Sequence, residues 1–304
     1  MAISRTQLVK ELEPGLNALF GLEYKRYENQ HAEIYVTESS DRAFEEEVML
    51  SGFANAQVKA EGQGVSFDTA QETYTARYTH DTVALAFAIT EEAIEDNLYD
   101  RLASRYTKAL ARSMSNAKQV KAAKPLNDGL PSTDNFDSGD GVSLFSTNHA
   151  TVSGTAVKNT LTTQADLNET SLEQALIDIA AMTDERGLRV AARAMKMIIP
   201  SANQFTAERL MKSQGRTGTA DNDINAVVSM GMVPQGYRVN NFLTDTDSWY
   251  LITDVPNGMK MFQRAALKTA MEGDFDTGNV RYKARERYSF GVSDFRGIFG
   301  CEGA

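Results

Sequence analysis

A chain of 304 residues with 42% hydrophobic content has enough apolar side chains for a large core or two domains, which excludes a disordered protein. Its formal net charge of −10 argues against a sequence-specific nucleic-acid binder and leaves only weak, nonspecific, salt-sensitive contact with DNA through a local basic face. The single cysteine, Cys301, excludes an intrachain disulfide and fits synthesis in a reducing cytosol; no apolar run approaches the roughly 18 residues of a membrane helix, and Met1–Leu8 carries no signal-peptide core.

Residues 1–47 read as an arm. Leu8, Leu12, Leu16, Leu19, Phe20 and Tyr24 fall at helical spacing, and Pro14-Gly15 is expected to split them into two short amphipathic pieces. Neither piece folds alone, so its apolar face needs a cover, from the chain's own domain or from a neighbour. Residues 48–89 read as a long hairpin turning at Glu61-Gly-Gln-Gly64. On its return side Tyr74, Ala76 and Tyr78 alternate with polar residues, and Val83, Leu85, Phe87 and Ile89 alternate with alanines. A lone hairpin is marginal in water, so this one lies either in an ordinary sheet or on another surface such as another subunit.

Residues 90–124 give the clearest helix. Thr90 is a good N-cap, Glu91, Glu92, Glu95 and Asp96 complement the positive end of the dipole, Lys118, Lys121 and Lys124 the negative end, and Pro125 is the expected stop. Ile94, Leu98, Leu102, Tyr106, Leu110 and Met114 recur every four residues, which overshoots a turn by about 40°. That stripe winds around the helix and predicts a spine crossing a domain. Residues 126–168 form a polar excursion. Residues 169–187 return to helix, with Leu172, Leu176 and Ile179 on one face and Gly187 as the end. Met195–Pro200 reads as a buried strand, and Ser201 caps a helix to about Lys212. A loop at Gln214–Thr219 precedes short strands at Val227–Val233, Tyr237–Asn240 and Trp249–Thr253, with Trp249 in the core.

The last stretch is built to be buried. Arg281, Lys283, Arg285 and Arg287 alternate with Tyr282, Ala284 and Tyr288, the pattern of a strand with one wet face. Phe290, Val292 and Phe299 continue the apolar set, with Gly291 and Gly297 as bends. The basic face is expected to bridge to acids such as Glu45–Glu47 rather than to DNA. Replacing Phe290 with Asp is expected to block folding or assembly, and removing Cys301 to do little.

No catalytic, cofactor-binding or metal-binding residue is nominated. Gly62-Gln-Gly64 lacks the third glycine and helix start of a dinucleotide loop. His31, His80 and His149 lie far apart without metal-ligand spacing and read as exposed polar residues. Asp134, Asp137 and Asp140 recur every third residue rather than every second, so they read as a solvated acidic loop rather than a calcium site. Glu45-Glu-Glu47 reads as a solvated or intersubunit face. Cys301 has no histidine nearby in sequence to activate it.

The order of arm, long hairpin, spine helix, polar loop, mixed domain and closing strand resembles the major capsid proteins of tailed double-stranded DNA phages, the Hong Kong 97-type α+β fold, in its Mu-like branch. Residues 14–21, 40–44, 87–93, 144–149, 198–201 and 290–300 carry the likeness. The resemblance implies an N-terminal arm at 1–47, an E-loop at 48–89 and an axial A-domain at 190–268. It implies a P-domain at 90–189 and 269–304, with a spine helix about 90–124, a polar excursion at 126–165 and a closing strand about 280–300. It implies a non-enzymatic head protein assembling in the host cytoplasm as hexamers and pentamers into an icosahedral virion shell. Implied partners are a portal, decoration proteins and weakly held packaged DNA. The arm pattern begins close to Met1, so a separate scaffolding protein is expected. Lys59 near the hairpin tip is a conceivable cross-link donor but reads better as a solvated lysine. The alternatives are an encapsulin-like nanocompartment shell protein and a soluble α+β enzyme.

Overall fold

Period-two alternation and one long small-residue helix face determine how this chain packs. The computed structural model describes residues 5–26, 28–90, 92, 99–133, 135–215, 224–274 and 278–304. In chain order they give α1 (Arg5–Arg26), β1 (Val36–Ser39), β2 (Phe44–Leu50), β3 (Glu72–Thr79), β4 (Asp81–Ile89) and α2 (Tyr99–Asp128). There follow α3 (Glu169–Ala181), β5 (Ala194–Ile199), α4 (Gln204–Lys212), α5 (Ala226–Ser229), β6 (Tyr237–Val239), β7 (Trp249–Thr253), β8 (Met259–Gly273), β9 (Val280–Val292) and β10 (Ile298–Cys301).

The first sheet has the order β1-β8-β9-β4 and is antiparallel except for β1 against β8. Tyr282, Ala284, Glu286 and Tyr288 of β9 point inward, and Arg281, Lys283 and Arg285 are exposed, as the alternation predicts. The inner face meets α1 and α2 through Leu16, Phe20, Leu110, Met114 and Tyr282. The second sheet has the order β10-β7-β5-β6. Its core joins Leu172, Ile179, Met197, Trp249, Phe295 and Phe299. A third cluster, with Leu126, Phe145, Tyr250, Tyr288 and Ile298, ties the sheets together. The ends of the chain are thus interleaved: β10 closes one sheet, and β9 lies between β8 and β4 in the other.

Several expectations are corrected. Pro14 does not split the arm, because α1 runs through it. A proline removes one ladder hydrogen bond, and Leu16 and Phe20 remain buried beyond it. Pro125 does not stop α2 either; Gly129 does. A Cβ on Gly129 would lie 2.6 Å from the Pro125 carbonyl oxygen and 2.7 Å from Leu144 Cβ. The buried face of α2 does not wind. It runs straight through Ala103, Thr107, Leu110, Ala111, Met114, Ala122 and Leu126, while Tyr106 is 50% exposed. Small residues, which a search for large apolar ones passes over, let α2 lie close to the sheet. Glu91, Ile94, Glu95, Asp96 and Leu98 lie outside the described residues.

The long hairpin is shorter than its pattern. β2 pairs with β3, but β4 crosses to β9, where Val83, Phe87 and Ile89 bed on the helical core. Val227–Val233 is not a strand: the Asn225 side chain accepts from Val228 N at 3.3 Å and starts α5. α3 ends at Ala181 rather than Gly187, and a short 3-10 turn at Ser201–Asn203 precedes α4. The closing strand is two strands in two sheets. Between them Gly297 faces Gly258, and a Cβ built on Gly297 would lie 2.3 Å from the Gly258 Cα.

Cys301 is fully buried, its thiol donating to Gln164 Oε1 at 3.0 Å. Its removal therefore has a cost. Cys301→Ala is expected to destabilise by about 1–2 kcal/mol, since a buried group and its packing are lost; equal thermal melts of the variant and wild type would contradict this.

Candidate assembly surfaces

The described residues offer no cluster of His, Cys, Asp or Glu able to hold a metal, and no described helix is long and apolar enough to cross a membrane. The most unusual surface is the segment between β2 and β3. Residues 51–71 extend from the body without strand pairing and turn at 61–62. Phe53, Val58, Val65 and Phe67 lie on it, with Val58 100% and Phe67 98% exposed. Val48 and Leu50 of β2 are exposed too. A row of large apolar side chains on a projecting strap is costly in water and marks an association surface.

The strap is extended but firmly rooted. At its neck Ser51 N donates to Gln71 O at 2.9 Å, Gln71 N to Ser51 Oγ at 3.0 Å, and Ala54 N to Asp68 at 2.7 Å. The Ala54 and Thr69 backbone N–H groups hold the Asp68 carboxyl below its usual range. At the base, Lys260 of β8 reaches Glu47 of β2 at 2.5 Å and Glu38 of β1 at 3.2 Å. Burial works against its charge, but hydrogen bonds to Glu47 and Glu38 prevail and raise its pKa. Ser293 hydrogen-bonds Glu47 and Tyr78, and Tyr78 packs edge-on to Phe262 with centroids 4.7 Å apart. Gly291 makes room for Tyr78, since a Cβ there would sit 2.6 Å from its ring.

The arm has its own joint. His31, between α1 and β1, donates its backbone N–H to Gln119 Oε1 and accepts from Gln119 Nε2 at its ring Nδ1, both at 3.0 Å. This network fits a neutral imidazole, because a proton on Nδ1 would face the amide N–H. Burial, then the nearby Lys118 charge, push its pKa down to about 4, against the hydrogen bond from Gln119. The unfolded imidazole titrates near 6.5. As pH falls, the unfolded chain takes up this proton first, so stability is complete above about 6.5 and is lost between there and about 4. The gap is worth roughly 3 kcal/mol. His31→Gln is expected to flatten the fall in melting temperature between pH 7 and pH 4.5; an unchanged slope would count against it.

None of the three histidines is exposed, contrary to the sequence reading. His80 bonds Ser40 at 2.9 Å and Ser289 at 3.0 Å. His149 is fully buried, bonds Asp140 at 2.6 Å and Asn159 at 3.1 Å, and stacks on Phe295 with centroids 3.8 Å apart. Asp140 is likewise no solvated loop residue. Burial alone would raise its pKa, but hydrogen bonds from His149 and Ser138 hold it low. Asp137 sits on the same excursion and Asp134 lies outside the described residues. The polar excursion is thus a folded cap around a histidine.

Glu45–Glu47 do not meet the basic face of β9. Glu47 pairs with Lys260, Glu46 with Arg77 and Glu45 with Arg42, while Arg281 pairs with Asp274 of its own hairpin. Lys59 is exposed. The apolar strap residues were not singled out from sequence. Their signal was available: large apolar side chains in a stretch with neither a helical nor a strand period.

The family model for phage capsid protein matches residues 73–300. No curated protein matches the sequence. Among solved structures the chain is similar to the capsid of an empty GTA particle, with TM-score 0.59, 12% identity and 91% of each chain covered. It is similar to a virus-like particle from Pyrococcus furiosus, with TM-score 0.54, 9% identity, and 94% of this chain and 98% of that one covered. It is also similar to the capsid of Myoviridae phage XM1, with TM-score 0.51, 12% identity, and coverages of 89% and 90%. At these identities the likeness is one of fold, and the α+β architecture is the one these shells share.

Proposed function

The chain belongs to the phage capsid protein family, and from that premise we propose that it is the major head subunit of a tailed double-stranded DNA phage, assembling as hexamers and pentamers into an icosahedral shell. One observation carries the assembly reading: a rooted strap holds Phe53, Val58, Val65 and Phe67 out in solvent. Burying such side chains against another copy is worth about 1.5–3 kcal/mol each when complete, and closure of a shell multiplies modest contacts.

In this reading residues 1–47 are the arm, and 48–89 the E-loop with β4 as its return into the body. Residues 90–189 and 269–304 form the P-domain and 190–268 the A-domain, whose loop at 214–223 lies mostly outside the described residues. The protein works as structure and performs no catalysis of its own. A separate scaffolding protein, a portal and weakly bound DNA complete the particle, which assembles in the host cytoplasm. The family match favours a genome shell over a nanocompartment.

The test is expression with and without a scaffold, followed by negative-stain electron microscopy. Closed particles support the reading; persistent monomers at high concentration under both conditions overturn it. Nucleic acid inside native particles separates a phage head from a nanocompartment.

A further inference from the structure

We infer that the outward face of the first sheet, a basic stripe on a bed of alanine, is a contact surface for acidic side chains of a second copy of this chain. The inference rests on the assembly reading and adds a surface to it. The register places its members side by side. Arg285 lies between Ala84 of β4 and Lys268 of β8, Lys283 between Ala86 and Ala270, and Arg281 between Ala88 and Glu272. Cross-strand partners share a face, so these side chains project together, away from α1 and α2. Lys283, Arg285 and Lys268 are exposed, and Arg287 continues the stripe half-buried.

Arg281 is neutralised by Asp274. Lys268, Lys283, Arg285 and Arg287 have no ion-pair partner among the described residues, and Arg287 Nε is buried without any hydrogen-bond partner. Residues alternating along a strand lie about 6.8 Å apart and strands about 4.8 Å apart, so these like charges repel one another unless an anionic surface covers them.

Two features favour protein over nucleic acid as that cover. With 41 acidic against 31 basic side chains, the chain has an excess of acids to offer its own copies, and this stripe is complementary to them. The alanines make a flat, apolar bed that suits a packed protein contact, whereas DNA interfaces are wet and polar.

The experiment compares wild type with Lys283→Ala/Arg285→Ala, Lys283→Glu/Arg285→Glu and Arg285→Lys. Assembly is followed by light scattering and sedimentation from 50 to 500 mM NaCl, and folding by thermal melts of unassembled protein. The alanine variant is expected to need at least tenfold more protein for half-assembly at low salt and to lose most of the salt dependence. The glutamate variant should be worse, Arg285→Lys close to wild type, and all melts unchanged. Wild-type assembly in all variants overturns the inference. So does normal assembly with loss of bound double-stranded DNA in a filter assay, which would make nucleic acid the occupant. Failure of wild type itself to assemble would instead overturn the shell reading.

Discussion

A chain with Phe53, Val58, Val65 and Phe67 all replaced by serine is expected to fold normally and fail to build shells. These side chains touch little of their own molecule, so the folded body loses almost nothing when they shrink. The neck bonds at Ser51, Ala54, Asp68 and Gln71 involve none of them through the side chain. Association loses all of their transfer free energy. At about 1.5–3 kcal/mol for each fully buried side chain, the four together approach roughly 6–12 kcal/mol per strap. That is comparable to the whole stability of many domains, and every subunit would lose it. Circular dichroism melts within about 2 °C of wild type, with no particles by electron microscopy, are the expected pair of results. Wild-type particle yield would show that the strap is not an assembly surface.

Arg296→Met is expected to be the most destabilising single change in the body. The guanidinium is buried and donates to Glu185 at 2.7 Å, to Asp294 at 3.2 Å and to the Thr183 carbonyl at 2.8 Å. It fastens the loop after α3 to the turn between β9 and β10. Truncating it leaves two carboxylates without their counter-ion, a loss of about 3–5 kcal/mol. For a chain of this size that lowers the melting temperature by roughly 5–8 °C. The sign of the pH response is a second readout. Burial, partly offset by Arg296, already raises the Asp294 pKa. Without Arg296 it rises further, so the variant's deficit is present near pH 7 and shrinks as pH falls through the folded pKa. Adding Glu185→Gln and Asp294→Asn should recover part of the loss at pH 7. A deficit independent of pH, or no recovery, would refute the buried-charge account.

The elements legible in the sequence were those whose burial follows one period. β9 declared its two faces because tyrosine and alanine alternate with arginine and lysine. α3 and β7 were equally plain, since Leu172, Ile179 and Trp249 sit where a single repeat puts them. What stayed hidden depended on neighbours distant in sequence. Nothing local shows that the chain leaves β2 and β3 at His80 to pair β4 with β9. His31 and His80 looked exposed because their partners Gln119 and Ser289 come from segments the pattern does not connect, and His149 because the excursion it shares with Asp140 has no period that marks burial. Pro125 misled because a proline in the last turn costs little when Leu126 and Leu130 beyond it are buried. The candidate surface was half visible. A hairpin without a core was evident, but its apolar residues were obscured by the glycine, alanine and glutamine between them.

Lys260 of β8 joins two limbs, the arm and the strap, to the body of the protein. Its ammonium holds Glu38, on β1 of the arm, and Glu47, on β2 at the foot of the strap. A tug on the strap is therefore passed to the arm and to β8 through the Lys260 rivet and the Ser40–Glu45 hydrogen bond rather than absorbed at the neck. In a closed lattice where both limbs grip neighbours, such rivets connect tension lines across each subunit. Load on one contact would then spread to its neighbours instead of opening a single seam.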